Sequence, residues 1–283
     1  MNLSHQTSAP IRVAPVRPSA AVKDWYHTQL AGLVDAMHQS VMFWVRAAWR
    51  RGGLAEDVIF TQGDLAMDLS PAKILQGAME KLGAQWRTTF KLGAKGIADG
   101  FASKALAHGD QAFRAALRDA GFSVKFQASQ TVRDALDALT MDNVGLIKSI
   151  PEEYLGDVHG KVARSIAAGR NLRELTDDLQ RTYHVARNRA ALIARDQNNK
   201  ATAIVHRVRQ REVGVKHAVW VHSGASKHPR EEHEAWGAEG ATYVVSEGMY
   251  SEEDGENVWP GTPINCGCIS MSVIEPNEEG EEE

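Results

Sequence analysis

The sequence predicts a mainly α protein: a helical body followed by a small α+β C-terminal module. Three observations carry that reading. Apolar residues recur at helical spacing through most of the first two hundred positions, Gly214 stops the last long helical pattern, and beyond it the pattern changes to alternation.

Residues 1–20 are rich in Pro, Ser and Arg without periodicity, which predicts a disordered arm. Trp25, Tyr26, Leu30, Leu33, Val34, Met37, Val41, Trp44, Val45 and Ala48 then trace one long amphipathic helix up to a break at Gly52-Gly53. A second helix starts at Ser70-Pro71, a capping residue followed by proline at the first helical position. Its stripe is Leu75, Met79, Leu82, Trp86, Phe90, Ile97 and Phe101, although five glycines between 77 and 100 weaken it by about 1 kcal/mol each.

Separate helices are expected near 110–120, 129–149, 152–168 and 172–183, the last capped by Asn171. The longest late helix runs from about 185 to 213, with Ile193, Gln197, Ala201, Ile204 and Val208 on one face. After Gly214, residues 216–222 and 266–274 alternate and 241–246 is β-rich. The resulting division is a disordered arm at 1–20, an N-terminal helical region at 21–130, a helical core at 131–214, the α+β module at 215–276 and an acidic tail at 277–283.

Composition excludes several classes. A hydrophobic content of 43% is enough for a core, yet no run approaches the roughly 20 apolar residues of a membrane span, and no signal-peptide pattern opens the chain. The reading is therefore a soluble protein made in the cytoplasm and not bound to a membrane. Two cysteines one residue apart form no disulfide framework. Charge is polarised along the chain: 161–216 holds thirteen Lys/Arg against five Asp/Glu, and 217–283 holds two against fifteen. Arg187, Arg195, Arg207, Arg209 and Arg211 lie on the late helix, a candidate stripe for nonspecific, salt-sensitive binding of double-stranded DNA.

The C-terminal module concentrates the unusual side chains. Cys266 and Cys268 fall in an alternating segment, where they would share a face, and Gly267 lets the backbone bend toward a common point. Thiolate and imidazole are preferred ligands of a structural zinc ion. The candidate site is His233, Cys266 and Cys268, completed by His222 or His228. Catalysis is less well served: H-E-x-x-H, G-x-S-x-G and phosphate-cradling glycine loops are all missing, and His233-Glu234 is followed by Ala235-Trp236-Gly237 without a second helical histidine.

One ordered set of landmarks is more specific. Asn143-Val144-Gly145-Leu146-Ile147-Lys148-Ser149-Ile150-Pro151 leads to Tyr154-Leu155, Val158 and Val162, then Arg189-Ala190 with Ile193-Ala194-Arg195-Asp196-Gln197. Gly214, Trp220, Arg230 with His233, and Pro260-Gly261 with Asn265-Cys266-Gly267-Cys268 follow. In this order, over about residues 130–275, they resemble the phage Mu protein F-like family of minor head proteins. Two departures stand out: Gly267 lies where the family has a basic residue, and Gly224-Ala225-Ser226-Lys227 looks like an insertion before Arg230.

The resemblance implies a non-enzymatic protein of the virion, present in few copies near the portal vertex. It would act in procapsid assembly, DNA packaging or ejection, with portal and capsid proteins as partners and the host cytoplasm as the place of assembly. Some members carry an effector domain after this module, and none is expected here because only the acidic tail follows Cys268 and its strand. The competing reading is a metal-dependent hydrolase or nuclease built on the His/Cys cluster.

Overall fold

The structure, a computed structural model, describes residues 9–51, 71–168, 172–224 and 229–276. The Gly52-Gly53 break, the Ser70 and Asn171 caps, Ala225-Ser226-Lys227, His228 and the acidic tail lie outside the described residues. Long helices dominate: α1 is Ala20–Arg51, α2 is Pro71–Asp119, α3 is Gln130–Ala167 and α4 is Leu172–Glu212. The rest is β1 (Ile11–Arg12), β2 (His217–Val221), α5 (Glu231–Glu239), β3 (Thr242–Val244), β4 (Met249–Ser251), β5 (Glu256–Val258) and β6 (Ile269–Ile274). The expected class, a helical body with a small α+β module, is the one observed. Among the described residues no helix is long and apolar enough to cross a membrane.

Helices predicted as separate pieces are continuous. The segment at 110–120 is the end of α2, and 172–183 joins 185–213 within α4. Pro151 was expected to close a helix and instead sits inside α3. Proline removes one backbone hydrogen bond and crowds the preceding turn. Here Ile147, Ile150, Tyr154, Leu155 and Val158 are buried on both sides of it, so a continuous apolar stripe outweighs the local penalty.

Residues 9–20 are not the disordered arm that their composition predicts. β1 pairs antiparallel with β6, Ile11 opposite Ile274 and Arg12 opposite Val273, and Val13 and Val16 are buried. The partner strand lies at the other end of the sequence, so local composition carries no trace of it.

The chain forms two compact units that do not divide at Gly214. The first comprises Asp24–Ala98 and Met141–Ala194, the second Met1–Lys23, Asp99–Thr140 and Arg195–Glu283. The helical unit buries Tyr26, Leu30, Val34, Met37, Phe90, Ile147, Ile150 and Leu179. Two of its buried contacts are polar: the Tyr26 hydroxyl donates to Asn143 Oδ1 (2.8 Å), and the Tyr154 hydroxyl donates to His38 Nδ1 (2.8 Å) while His38 Nε2 reaches Gln180 Oε1 (3.2 Å). Burial pushes the His38 pKa down.

The second unit carries a four-stranded antiparallel sheet in the order β1-β6-β2-β3 and a separate β4-β5 hairpin. Val13, Phe113, Leu117, Val213, Ala218, Trp220, Tyr243 and Ile274 belong to one core cluster, which includes Cys266 and Cys268. The Gln210 side chain of α4 donates to Ser270 Oγ (3.1 Å) and Ser272 Oγ (2.8 Å), so the buried serines of β6 are satisfied from the helix. His206 is fully enclosed, edge-on to Phe113, and desolvation pushes its pKa down to about 3.

Candidate metal centre

Two local structures meet at the site. The first is α5, a short helix carrying His233 in its first turn and ended by Gly240 at φ 63°. Glu232, beside His233, accepts from the Ser251 hydroxyl (2.7 Å) and the Glu252 N–H (2.9 Å). These bonds hold the Glu232 carboxyl below its ordinary pKa and tie α5 to the β4-β5 hairpin. His222 packs directly on α5 because position 237 is glycine: a Cβ there would lie 2.3 Å from His222 Cβ, which no side chain tolerates.

The second is the turn before β6. Cys266 and Cys268 were expected within the strand, but they precede it, in an irregular segment that follows Asn265 at φ 58°. Asparagine is one of the few residues that adopt this left-handed conformation at modest cost. The turn is clamped by one stretch of α4. Arg195 donates to Asn265 Oδ1 (3.1 Å), Asp196 Oδ1 accepts the Asn265 N–H (2.6 Å), and Asn199 donates to the Cys266 carbonyl (3.0 Å). Backbone carbonyls and amides that a strand would have paired are thus paired with helix side chains, which frees the cysteines to point inward.

His233 Nδ1 lies 3.5 Å from Cys266 Sγ and 3.9 Å from Cys268 Sγ. All three side chains are buried, and their ligand atoms fall within 4.8 Å of one another. The imidazole is held by Trp220 (ring centres 4.8 Å apart) and stacked on Trp236 (5.4 Å), and its Nε2 is buried without a partner. The Cys268 thiol, His233 and the backbone N–H groups of Cys268 and Gly261 pull the Cys266 pKa well below the thiol range, while the neighbouring Cys266 and burial push that of Cys268 up. Two sulfurs this close cannot both ionise unless a cation compensates them.

The three ligands share a pocket of about 300 Å³ with His222, Arg230 and Glu253. Arg230 donates to the Ile264 carbonyl (3.2 Å) and lies 3.3 Å from Glu253.

Residues 156–271 match the family model described as Phage Mu protein F like protein. This stretch is Mu protein F-like. The Mu F-like segment begins inside α3 and ends inside β6, so it contains α4, the clamped turn, α5 and all three sulfur and imidazole ligands. An uncharacterized protein of Haemophilus influenzae (strain Rd) is 28% identical over 280 residues, which cover 98% of this chain and 59% of that protein. The chain therefore spans about three fifths of the relative's length. No solved structure matches.

Of the four predicted metal ligands, the structure brings together His233, Cys266 and Cys268. His222 lines the same pocket but is not in the group of converging ligand atoms. Its Cβ is pressed against α5, which fixes it to one side. The predicted arginine stripe is divided between two sides of its helix. At 3.6 residues per turn, Arg207 and Arg211 fall on the opposite side of α4 from Arg187, Arg195 and Arg209. Arg187 pairs with Asp35 (2.7 Å), Arg195 holds Asn265, and Arg209, with only 3% of its side chain exposed, pairs with Asp110 (2.7 Å) and Glu212 (2.6 Å). The Arg207 guanidinium lies 4.0 Å above Trp259. Four of the five thus make contacts within the fold.

Sequence reasoning recognised Asp196 and Asn265 as landmarks without seeing their bond, and missed Asn199 entirely. Only the fold places α4 over the turn before β6.

Proposed function

We propose that this chain is a head-assembly protein of a tailed phage, built into the procapsid at the portal vertex. The observation that carries the reading is the Mu protein F-like match over residues 156–271. The use to which the fold puts the family landmarks supports it. Asn143 receives Tyr26, Arg189 pairs with Glu153 (2.8 Å), Asp196 and Asn265 fasten the cysteine turn, and Gly214 (φ 82°) ends α4. These residues hold a scaffold together, as an assembly component requires, and they do not converge on a shared reaction centre. The partners are portal protein and other capsid components, and the place of action is the head.

Coexpression of the full chain with the portal and major capsid proteins of its phage tests this. The chain is expected to sediment with procapsids and to be recovered with the portal when the shell is dissociated. A chain found only in the soluble fraction, with procapsids complete without it, would overturn the reading.

A metal-dependent hydrolase or nuclease is favoured by one feature, the pocket beside His233, Cys266 and Cys268 with Glu253 on its wall. That carboxylate is engaged with Arg230 at 3.3 Å rather than with any of the three ligands. Assays with nucleic acid and peptide substrates on metal-loaded protein decide between the two.

A further inference from the structure

We propose that His233, Cys266 and Cys268 form a three-ligand site for a soft divalent metal of the zinc class, whose fourth coordination position opens on the pocket walled by Arg230. The inference does not depend on the head-assembly reading. It rests on the convergence of these side chains, and either idea can fail alone.

Distances come first. With zinc–sulfur bonds of about 2.3 Å and zinc–nitrogen bonds of about 2.0 Å, a tetrahedral ion separates nitrogen from sulfur by about 3.6 Å. The observed separations are 3.5 and 3.9 Å. The ordinary alternative is a buried thiol pair hydrogen-bonded to a histidine. One imidazole nitrogen has either one proton or one lone pair, so it serves one sulfur properly and leaves the other uncompensated. A cation bonded to all three removes that conflict.

Donor chemistry comes second. The three donors are two thiols and one imidazole, all buried. Thiolates are the form in which cysteine binds metal. The ligands are also locked before any ion arrives: α4 clamps the 265–266 backbone, and Trp220 and Trp236 hold the imidazole. Two thiolates with one imidazole select zinc over magnesium or calcium, which prefer oxygen.

The fourth position comes third. Among the described residues no further His, Cys, Asp or Glu joins the group, and the ligands line the pocket rather than a closed cavity. The pocket gives a water molecule or small anion room at the fourth position, and the Arg230 guanidinium on its wall favours an anion.

The full chain, produced in zinc-supplemented medium, is expected to contain about one equivalent of zinc. Cys266→Ser and Cys268→Ser should each remove most of it, His233→Cys should keep it by supplying a third thiolate, and His222→Ala should leave it unchanged. Cobalt(II) substituted for zinc should give a thiolate-to-metal charge-transfer band and the intense visible bands of four-coordination. Added imidazole should shift those visible bands. Folded wild-type chain that holds under about a tenth of an equivalent and takes up no cobalt would overturn the site. Loss of zinc in His222→Ala, or cobalt bands indifferent to imidazole, would overturn the open position. Should the serine variants fail to fold, chelation of wild-type protein replaces them: a fall in Tm reversed by zinc supports the site, and an unchanged Tm with metal stripped refutes a stapling role.

Discussion

The two compact units bury polar side chains to different depths. In the helical unit the Asp35–Arg187 pair keeps about a third of each side chain exposed, and the Tyr183 hydroxyl also donates to Asp35 (2.8 Å). In the sheet-bearing unit Arg209 is almost completely enclosed between Asp110 and Glu212, and Phe126 lies under its guanidinium (4.8 Å). Both pairs are Arg–carboxylate contacts of the same length. Burial separates them: water screens the first and compensates a lost partner, whereas the second has no such reserve.

Truncation of each arginine tests that contrast most directly. Arg209→Ala leaves Asp110 and Glu212 without their cation and is expected to cost about 3–5 kcal/mol in denaturant unfolding. Equal cost for Arg187→Ala would break the comparison, since depth would then not be the deciding variable.

The next effect is acid sensitivity of the sheet-bearing unit. His206 is held neutral by burial, with its pKa near 3, and an unfolded histidine titrates near 6.5. Its folded pKa is depressed, so its contribution to stability is complete above about pH 6.5 and is lost as pH falls toward 3. By about pH 5 the loss is about 2 kcal/mol. His38 in the helical unit is shifted the same way and adds to the slope. Unfolding midpoints measured from pH 7 downward should fall less steeply in His206→Gln than in wild type, and parallel curves would refute the assignment.

Smaller changes belong to the helical unit. Tyr26→Phe deprives buried Asn143 of a hydroxyl donor and should cost about 1–2 kcal/mol. Arg187→Ala should cost less than about 1 kcal/mol, because about a third of each partner is exposed to water. A value for Tyr26→Phe below that of Arg187→Ala would show that neutral buried hydrogen bonds matter less here than exposed charge.

His38 and His233 extend the contrast. His38 has a partner on each ring nitrogen, whereas His233 shares one nitrogen between two sulfurs and leaves the other unpartnered. Two sulfurs at one imidazole nitrogen are what set the His233 cluster apart and make it the place for the proposed metal.

Much of this was legible in advance. Helical periodicity in 25–48 and 185–213, the stop at Gly214 and the change to alternation are local signals, and local signals are what α-helices and short strands leave in a sequence. His233, Cys266 and Cys268 stood out because soft ligands are rare in a chain with two cysteines. The landmark order identified the Mu F-like segment without any coordinates. Helix boundaries were less legible, since buried residues flanking Pro151 overrode the local breaker.

Tertiary structure decided what depends on partners far away in the chain. The pairing of Ile11 with Ile274 turned an apparently disordered arm into an edge strand, and no neighbour of Ile11 encodes that contact. The clamp from Asp196 and Asn199 moved the cysteines out of the strand and fixed where they point. Ion pairs with Asp35 and Asp110 removed Arg187 and Arg209 from a charge pattern that looked free in one dimension. A sequence records each residue's chemistry and its local period, whereas the energy of a charge or a thiol depends on which groups the fold brings within a few ångströms of it.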